Sequence, residues 1–344
     1  MTKVKFLIIR FSSIGDIVLT TPVIRCLKQQ VEDVEVHYLT KPVFASILLS
    51  NPYIDKVLTL KEDFSETISE IKEERYDYII DLHNNLRTKR IKNRIGILSF
   101  KFNKLNVEKW LLVNFKINKL PNVHIVDRYL ETVKLFDVTN DNIGLNYFIP
   151  PADEVDLKNL PEFLQSGYVG FVIGAKHFTK KLPTKKIIEI INKIDYPVVL
   201  LGGKEDVEEA EQVITDCKTK NVFNSCGKFN INQSASLVNK AKVIITNDTG
   251  LMHIAAAFEK PIISIWGNTI PEFGMYPYVE NELSEIIEVK NLKCRPCTKI
   301  GFKKCPKKHF SCMNDIDINL ITKHINKYWK EKQKKFVERK NRNI

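Results

Sequence analysis

Lys242-Val243-Ile244-Ile245-Thr246-Asn247-Asp248-Thr249-Gly250-Leu251-Met252-His253-Ile254-Ala255-Ala256-Ala257 is the stretch that decides the fold. The segment from Lys242 to Thr246 is mostly apolar and reads as a buried strand. The residues after Gly250 are small or apolar and read as a helix. The chain therefore turns from strand to helix at Asp248-Thr249-Gly250. Gly250 lets the backbone come close to whatever sits there. The first turn of a helix leaves N–H groups unpaired and carries partial positive charge. Two readings stay open: an anion site for a phosphate or diphosphate, or an ordinary N-cap by Asp248 or Thr249 that needs no ligand.

Working outward, the amino-terminal end has the same form. Phe6-Leu7-Ile8-Ile9 is a short apolar run that suits a central parallel strand. Arg10-Phe11-Ser12-Ser13-Ile14-Gly15-Asp16 follows, and then Thr20-Thr21-Pro22 opens a helix, with Thr21 as cap and Pro22 at the first helical position. Asp16 thus falls at the carboxyl end of strand one, the edge at which open α/β sheets bind ligands. The competing reading is an Asp that only caps backbone N–H groups.

Between these stretches strand-like and helix-like segments alternate, which is the signature of parallel βαβ units. Residues 34–39, 57–60 and 76–82 read as strands; 43–49, 64–75, 107–115 and 124–136 read as helices. Leu86 to Arg94 holds five basic residues in nine, by default a solvated helix face and alternatively a contact for an anionic acceptor. Residues 140–161 lack periodicity and contain Pro150-Pro151, which sets a domain boundary there. The second half restarts with a strand at 168–175, a loop through Lys176-His177-Phe178-Thr179-Lys180-Lys181-Leu182-Pro183 and a helix at 184–194. A strand ending in Gly202-Gly203, helices at 207–217 and 231–241, and a strand at 261–267 complete it. The expected domains are 1–150 and 151–315, with a closing helix and basic tail over 316–344.

A chain of 344 residues suits two domains, and 44% hydrophobic with 27% charged residues is a globular balance. No apolar run has the length of a membrane span. Arg10 interrupts the short apolar start, so the first residues read as a strand of a cytoplasmic protein and not as a signal peptide. The net charge of +12 favours an anionic partner. Zinc-finger spacing and aromatic-interleaved RNA-binding patterns are missing, which argues against nucleic acid. Residues 323–344 hold nine Lys/Arg against two Glu, so this tail either leans on an anionic membrane or is a solvated end. Four of seven cysteines cluster as Cys294-x2-Cys297-x7-Cys305-x6-Cys312, with His309 among them. Clustered thiols in a reducing compartment suggest structural zinc or iron; free thiols packing a loop are the alternative.

Ser12-Ser13-Ile14-Gly15-Asp16, Thr179-Lys180-Lys181-Leu182-Pro183 and Asn247-Asp248-Thr249-Gly250-Leu251-Met252-His253 need a common explanation. Their order and spacing resemble the ADP-heptose:lipopolysaccharide heptosyltransferases, glycosyltransferase family 9, over nearly the whole chain. Residues 8–22 look like that family's opening and 246–257 like its nucleotide-sugar motif. The resemblance implies a GT-B fold, two Rossmann-like domains facing a central cleft. It implies inverting, metal-independent transfer of heptose from ADP-heptose to a phosphorylated lipopolysaccharide core (lipid A–Kdo type) acceptor, by an enzyme peripheral to the inner membrane. By resemblance Asp16 is the base that takes the acceptor proton. Lys180 holds the departing diphosphate, with Lys181 an easily confused neighbour. Thr179 and the backbone of Thr249, Gly250 and Leu251 grip phosphate, while Asp248 and His253 shape the sugar-phosphate pocket. Asp206 contacts the nucleoside, with Glu205 its rival. Ser12, Ser13 and Gly15 line the acceptor side. No cofactor is implied for catalysis.

Two alternatives remain: the same chemistry on another nucleotide sugar or a protein acceptor, and a nucleotide-sugar-binding protein that has lost transfer. A dehydrogenase or epimerase would want Gly-x-Gly-x-x-Gly after strand one, which Ser12-Ser13-Ile14-Gly15 is not.

Overall fold

Buried, mostly aliphatic central strands, flanked by shorter and more polar edge strands, build a parallel sheet in each half of the chain. The computed structural model describes residues 3–279 and 281–329. In the first half β1 (Val4–Ile9), β2 (Val34–Thr40), β3 (Lys56–Thr59), β4 (Tyr78–Asp81) and β5 (Leu98–Lys101) lie in the order β3-β2-β1-β4-β5. In the second, β6 (Val169–Val172), β7 (Val198–Leu201), β8 (Val222–Asn224), β9 (Val243–Asn247), β10 (Ile262–Trp266) and β11 (Glu285–Glu288) lie in the order β11-β10-β9-β6-β7-β8. Every pairing is parallel. Helices cross over between strands: α1 (Ile14–Val18), α2 (Thr21–Gln30), α3 (Phe64–Glu73), α4 (Leu86–Ile95), α5 (Asn106–Phe115) and α6 (Ile125–Leu130) in the first half; α7 (Thr184–Ile191), α8 (Val207–Asp216), α9 (Ile231–Lys240) and α10 (Gly250–Ala257) in the second. This is the GT-B arrangement of two Rossmann-like sheets.

Most expected elements are present within a residue or two. Helix α2 starts one residue earlier than expected, with Thr20 as N-cap, Thr21 first and Pro22 second, and α1 fills what reads as a loop. Residues 42–47 form a 3-10 helix, and the expected helix over 124–136 breaks after Leu130. Strands β5, β8 and β11 give no sequence signal: each is an edge strand of three or four residues, half polar, with no alternation long enough to read. The 150/151 boundary falls in a stretch of short 3-10 turns without a strand.

The two halves touch along seams. Ile125 N donates to Gly274 O at 2.8 Å, and Tyr147 OH donates to Asn232 Oδ1 at 2.6 Å. A helix over 318–329 packs back on the second half, where Ile321 and Ile325 join Ile187 and Ile191 in one core and Trp329 stacks on Tyr196. The rest of the expected basic tail, from residue 330, lies outside the described residues.

Arg25, 2% exposed, fixes the start of the connection between the halves. It binds both Asp141 oxygens at 2.7 Å and donates to Gly144 O at 2.8 Å. Removing one partner of such a pair strands the other. Arg25→Ala is expected to cost about 3 kcal/mol of stability, read as a lowered urea midpoint; an unchanged midpoint would contradict this role.

Candidate active site

Parallel β1 and β9 each deliver a loop and a helix start at their carboxyl ends, and the two helix starts meet face to face. A Cβ built on Gly15 would lie 2.5 Å from His253 Cδ2 and 3.2 Å from Gly250 Cα. One built on Gly250 would lie 2.9 Å from Ile14 Cβ. Neither glycine has the left-handed backbone that demands the residue. Their smallness is needed for space, so that one loop from each half closes on the other.

Asp16 stands in this contact with its carboxylate about one-fifth exposed. Its Oδ1 pairs with Arg10 Nη2 at 2.6 Å, and its Oδ2 accepts from Ser13 N at 3.1 Å and Ser13 Oγ at 2.8 Å. Arg10 is itself pinned, donating to Leu82 O at 2.6 Å and to Tyr129 OH at 3.1 Å. Burial alone would raise the Asp16 pKa, but the Arg10 guanidinium and the two Ser13 bonds outweigh it and hold the carboxyl below its ordinary value. Asp16 therefore does bond its own helix start, and it is also an ionised group facing the other half. His253, 2% exposed, lies against Gly15; burial pushes its pKa down to about 4, and its Nδ1 has no hydrogen-bond partner.

On the second half, the turn after β9 is not an ordinary cap. Thr249 is the N-cap residue of α10 but its side chain bonds no helix N–H. Its Oγ1 lies 3.3 Å from Thr246 Oγ1 instead. Asp248 Oδ2 takes Lys180 Nζ at 2.5 Å and Thr269 Oγ1 at 2.9 Å. Asn247 ties the two loops together, accepting from Leu182 N at 3.2 Å and donating to Ile173 O at 3.3 Å. Side chains thus leave the first turn of α10 uncapped beside an ammonium group, the arrangement that suits an anion.

The two lysines part company. Lys181 Nζ binds Asp206 at 2.8 Å and also pairs with Glu209, so it is spent on structure. Asp206, 2% exposed, gives its other oxygen to Gly203 N at 2.9 Å. Its two oxygens are engaged by Lys181 and by the turn after β7, beside the place expected for a nucleoside contact; the rival, Glu205, is exposed. Thr179 is buried and exchanges bonds with the Phe302 backbone, so it anchors its loop.

Ser12 lines a cavity of about 460 Å³ beside Asp16, with Phe11, Lys41, His83, Asn85, Leu86 and Arg87 around it. This is the carboxyl edge of β1, β2 and β4. Lys104 and Lys109 add charge near Asp16: burial lowers both, Lys109 to about 8, and neither has an ion pair among the described residues. Sequence reading missed Lys41, His83, Lys104 and Lys109. Lys41 and His83 follow strand ends, a signal that was there to use; Lys104 and Lys109 were not legible.

Three of the four clustered cysteines lie in one loop and Cys312 in the short helix after it; burial, with the neighbouring thiols as a smaller cause, raises the pKa of Cys297 to about 11 and of Cys312 to about 12. Their donor chemistry suits a thiophilic ion, but the sulfurs do not converge as folded. Among the described residues the trio of ligand atoms lying within 4.8 Å of one another is Glu35, His37 and Glu74. That trio sits at the amino edge of the first sheet, where Lys5 Nζ already lies 3.4 Å and 3.3 Å from the two carboxylates. What the cysteine loop does hold is Arg295, which donates to Gly267 O at 2.5 Å and Thr269 O at 2.9 Å and so braces the residues beside Asp248.

A carboxylate on one Rossmann-like half, facing an uncapped helix start on the other, is a layout that fits a glycosyltransferase of GT-B type. Residues 65–308 match the model of glycosyltransferase family 9 (heptosyltransferase), and the chain belongs to that family. It is 26% identical over 298 residues to lipooligosaccharide heptosyltransferase 2 of Haemophilus ducreyi, covering 78% of this chain and 85% of the relative. Its fold matches the ADP-heptose lipopolysaccharide heptosyltransferase II of Escherichia coli with a TM-score of 0.75 at 19% identity, over 96% and 99% of the two chains. The iron-containing dodecameric glycosyltransferase TibC of enterotoxigenic Escherichia coli shares the fold with a TM-score of 0.59 at 12% identity, over 96% of this chain and 77% of TibC.

The lysine pairings give a direct contrast. Lys180→Met is expected to weaken ADP binding at least about tenfold, as loss of a charged hydrogen bond does, with the fold intact. Lys181→Met is expected to lower thermal stability first. Calorimetric titration and melting of both variants check this, and equal loss of ADP affinity in both would contradict the assignment.

Proposed function

We propose that the protein transfers heptose with inversion from ADP-heptose to a phosphorylated lipopolysaccharide core acceptor at the inner membrane surface, without a metal ion. The observation that carries this reading is the direct opposition of the Asp16 carboxylate to the uncapped start of α10 and Lys180 across one contact. The named activities of the family relatives support the donor and acceptor.

In this mechanism Asp16 takes the proton of an acceptor hydroxyl as that oxygen attacks the anomeric carbon. The bond from that carbon to the diphosphate oxygen breaks on the opposite side, and its electron pair leaves with ADP. Lys180 keeps N–H donors beyond the one spent on Asp248, and with the first N–H groups of α10 it takes up the growing negative charge. Arg10 holds Asp16 ionised and turns its carboxylate toward the cleft. The unpaired cations Lys104 and Lys109, with Lys41 and Arg87 around the cavity, suit the anionic groups of a core acceptor.

No cofactor enters this chemistry. A structural zinc or iron ion in the cysteine loop is a separate proposal, since the sulfurs would have to close on the ion. Metal analysis of protein purified without chelator reads it: one equivalent supports the ion, and none removes it.

Asp16→Asn is expected to lower kcat by about 10²- to 10⁴-fold while calorimetry finds ADP binding little changed with EDTA present. Turnover close to the parent would remove Asp16 from the base role; ADP binding that requires magnesium would remove the metal-free cradle. The sign of the pH dependence follows from Arg10. A base must be deprotonated, and the depressed Asp16 pKa puts the acid limb of kcat/KM below the usual carboxylate range. Arg10→Gln removes the largest effect opposing burial and leaves only the Ser13 bonds and His253 against it, so that limb is expected to move to higher pH. A profile that stays in place would mean Asp16 does not set it.

A further inference from the structure

Helix α5 buries Leu112 but turns large apolar side chains to solvent. Val107 is 67% exposed, Trp110 55% and Phe115 57%, and Ile117 just beyond the helix is exposed as well. Scattered exposed apolar residues are ordinary, but four within eleven residues make a patch that calls for a partner. The cysteine loop continues this surface. Lys299 Nζ reaches Asn106 Oδ1 at the start of α5, and Lys116 Nζ at its end donates to Pro296 O at 2.7 Å. From Thr298 to Lys308 the loop carries five lysines and no acidic residue, and all five are exposed. Ile300 and Phe302 stand exposed among them.

We propose that α5 and the 298–308 loop together form a docking face for an anionic lipid bilayer. The inference rests on the reading of a glycolipid acceptor and names the surface that meets the membrane. Apolar and aromatic side chains set among lysines match a single partner that offers both hydrocarbon and phosphate, as the interfacial region of a bilayer does. A second copy of this chain would bring the same positive charge and repel. No helix among the described residues is long and apolar enough to cross a membrane, so the contact is one of surface. The placement also serves the site. Lys109, on the same helix, turns inward near Asp16 and lies 5.7 Å from the centre of the Phe273 ring. Docked this way, the cleft opens beside the membrane surface, and an acceptor can reach Asp16 without leaving the bilayer.

The test is co-sedimentation of the full chain with phosphatidylcholine vesicles, with and without phosphatidylglycerol. The parent is expected to bind the anionic vesicles only. Trp110→Ser combined with Phe115→Ser is expected to weaken that binding by roughly tenfold or more, as loss of buried apolar area does. Lys303→Glu combined with Lys304→Glu is expected to weaken it and to flatten its salt dependence. ADP titration of each variant, expected to match the parent, confirms that the fold and donor site are intact. Parent-like vesicle binding by the Trp110/Phe115 variant, or no binding by the parent, would overturn the docking face. If the parent then still transfers sugar to a detergent-solubilised acceptor, the functional reading survives; if ADP binding is absent too, that reading falls with it.

Discussion

The close approach of two glycines is the constraint on which the site depends. Gly15 and Gly250 each sit at the start of a helix that follows a strand, in different halves of the chain. No side chain larger than hydrogen fits at either position without displacing the other loop. Because both loops leave the carboxyl edges of parallel strands, the contact brings together the two ligand-binding edges of two sheets. Asp16 follows Gly15 directly, and Asp248, with its lysine, lies two residues before Gly250. Chemistry on one half therefore has a fixed distance to chemistry on the other.

Charge then divides into spent and unspent groups. Arg10, Lys181 and Lys92 are committed to carboxylates and hold the scaffold. Lys41, Arg87, Lys104 and Lys109 stand near the cavity or the cleft without an ion pair among the described residues. A burial-weakened, unpaired lysine costs stability, and it makes sense where a negative substrate supplies the missing partner. Lys180 and Lys181, adjacent in sequence and equal in type, are both paired but differently: Lys180 with Asp248 beside the uncapped helix start, Lys181 with both Asp206 and Glu209.

Much of this was legible before any coordinates. The apolar runs of β1, β6, β7, β9 and β10 are central strands, buried on both faces, and central strands announce themselves. The edge strands β5, β8 and β11 do not, because short half-exposed segments carry no period. The motif residues Asp16, Lys180 and Asp248 converge as their spacing suggested. Asp206 stands apart from them, bonded to Lys181 and to the turn after β7; a carboxylate after a glycine turn serves the turn as readily as a ligand, and the sequence does not tell which. Whether Thr249 caps its helix was likewise undecidable from sequence; its hydroxyl bonds no helix N–H and lies by Thr246 instead. Lys109 was invisible because nothing in the sequence says that its helix turns Val107, Trp110 and Phe115 outward and the cation inward.

The central claim is that one gap holds an activated sugar between the Asp16 carboxylate and the α10 cradle. The most direct measurement is a crystal structure of the protein with a non-transferable ADP-sugar. The account places the diphosphate on the N–H groups of residues 249–251 and on Lys180, with the anomeric carbon between it and Asp16. A diphosphate bound elsewhere, or a sugar turned away from Asp16, would contradict it.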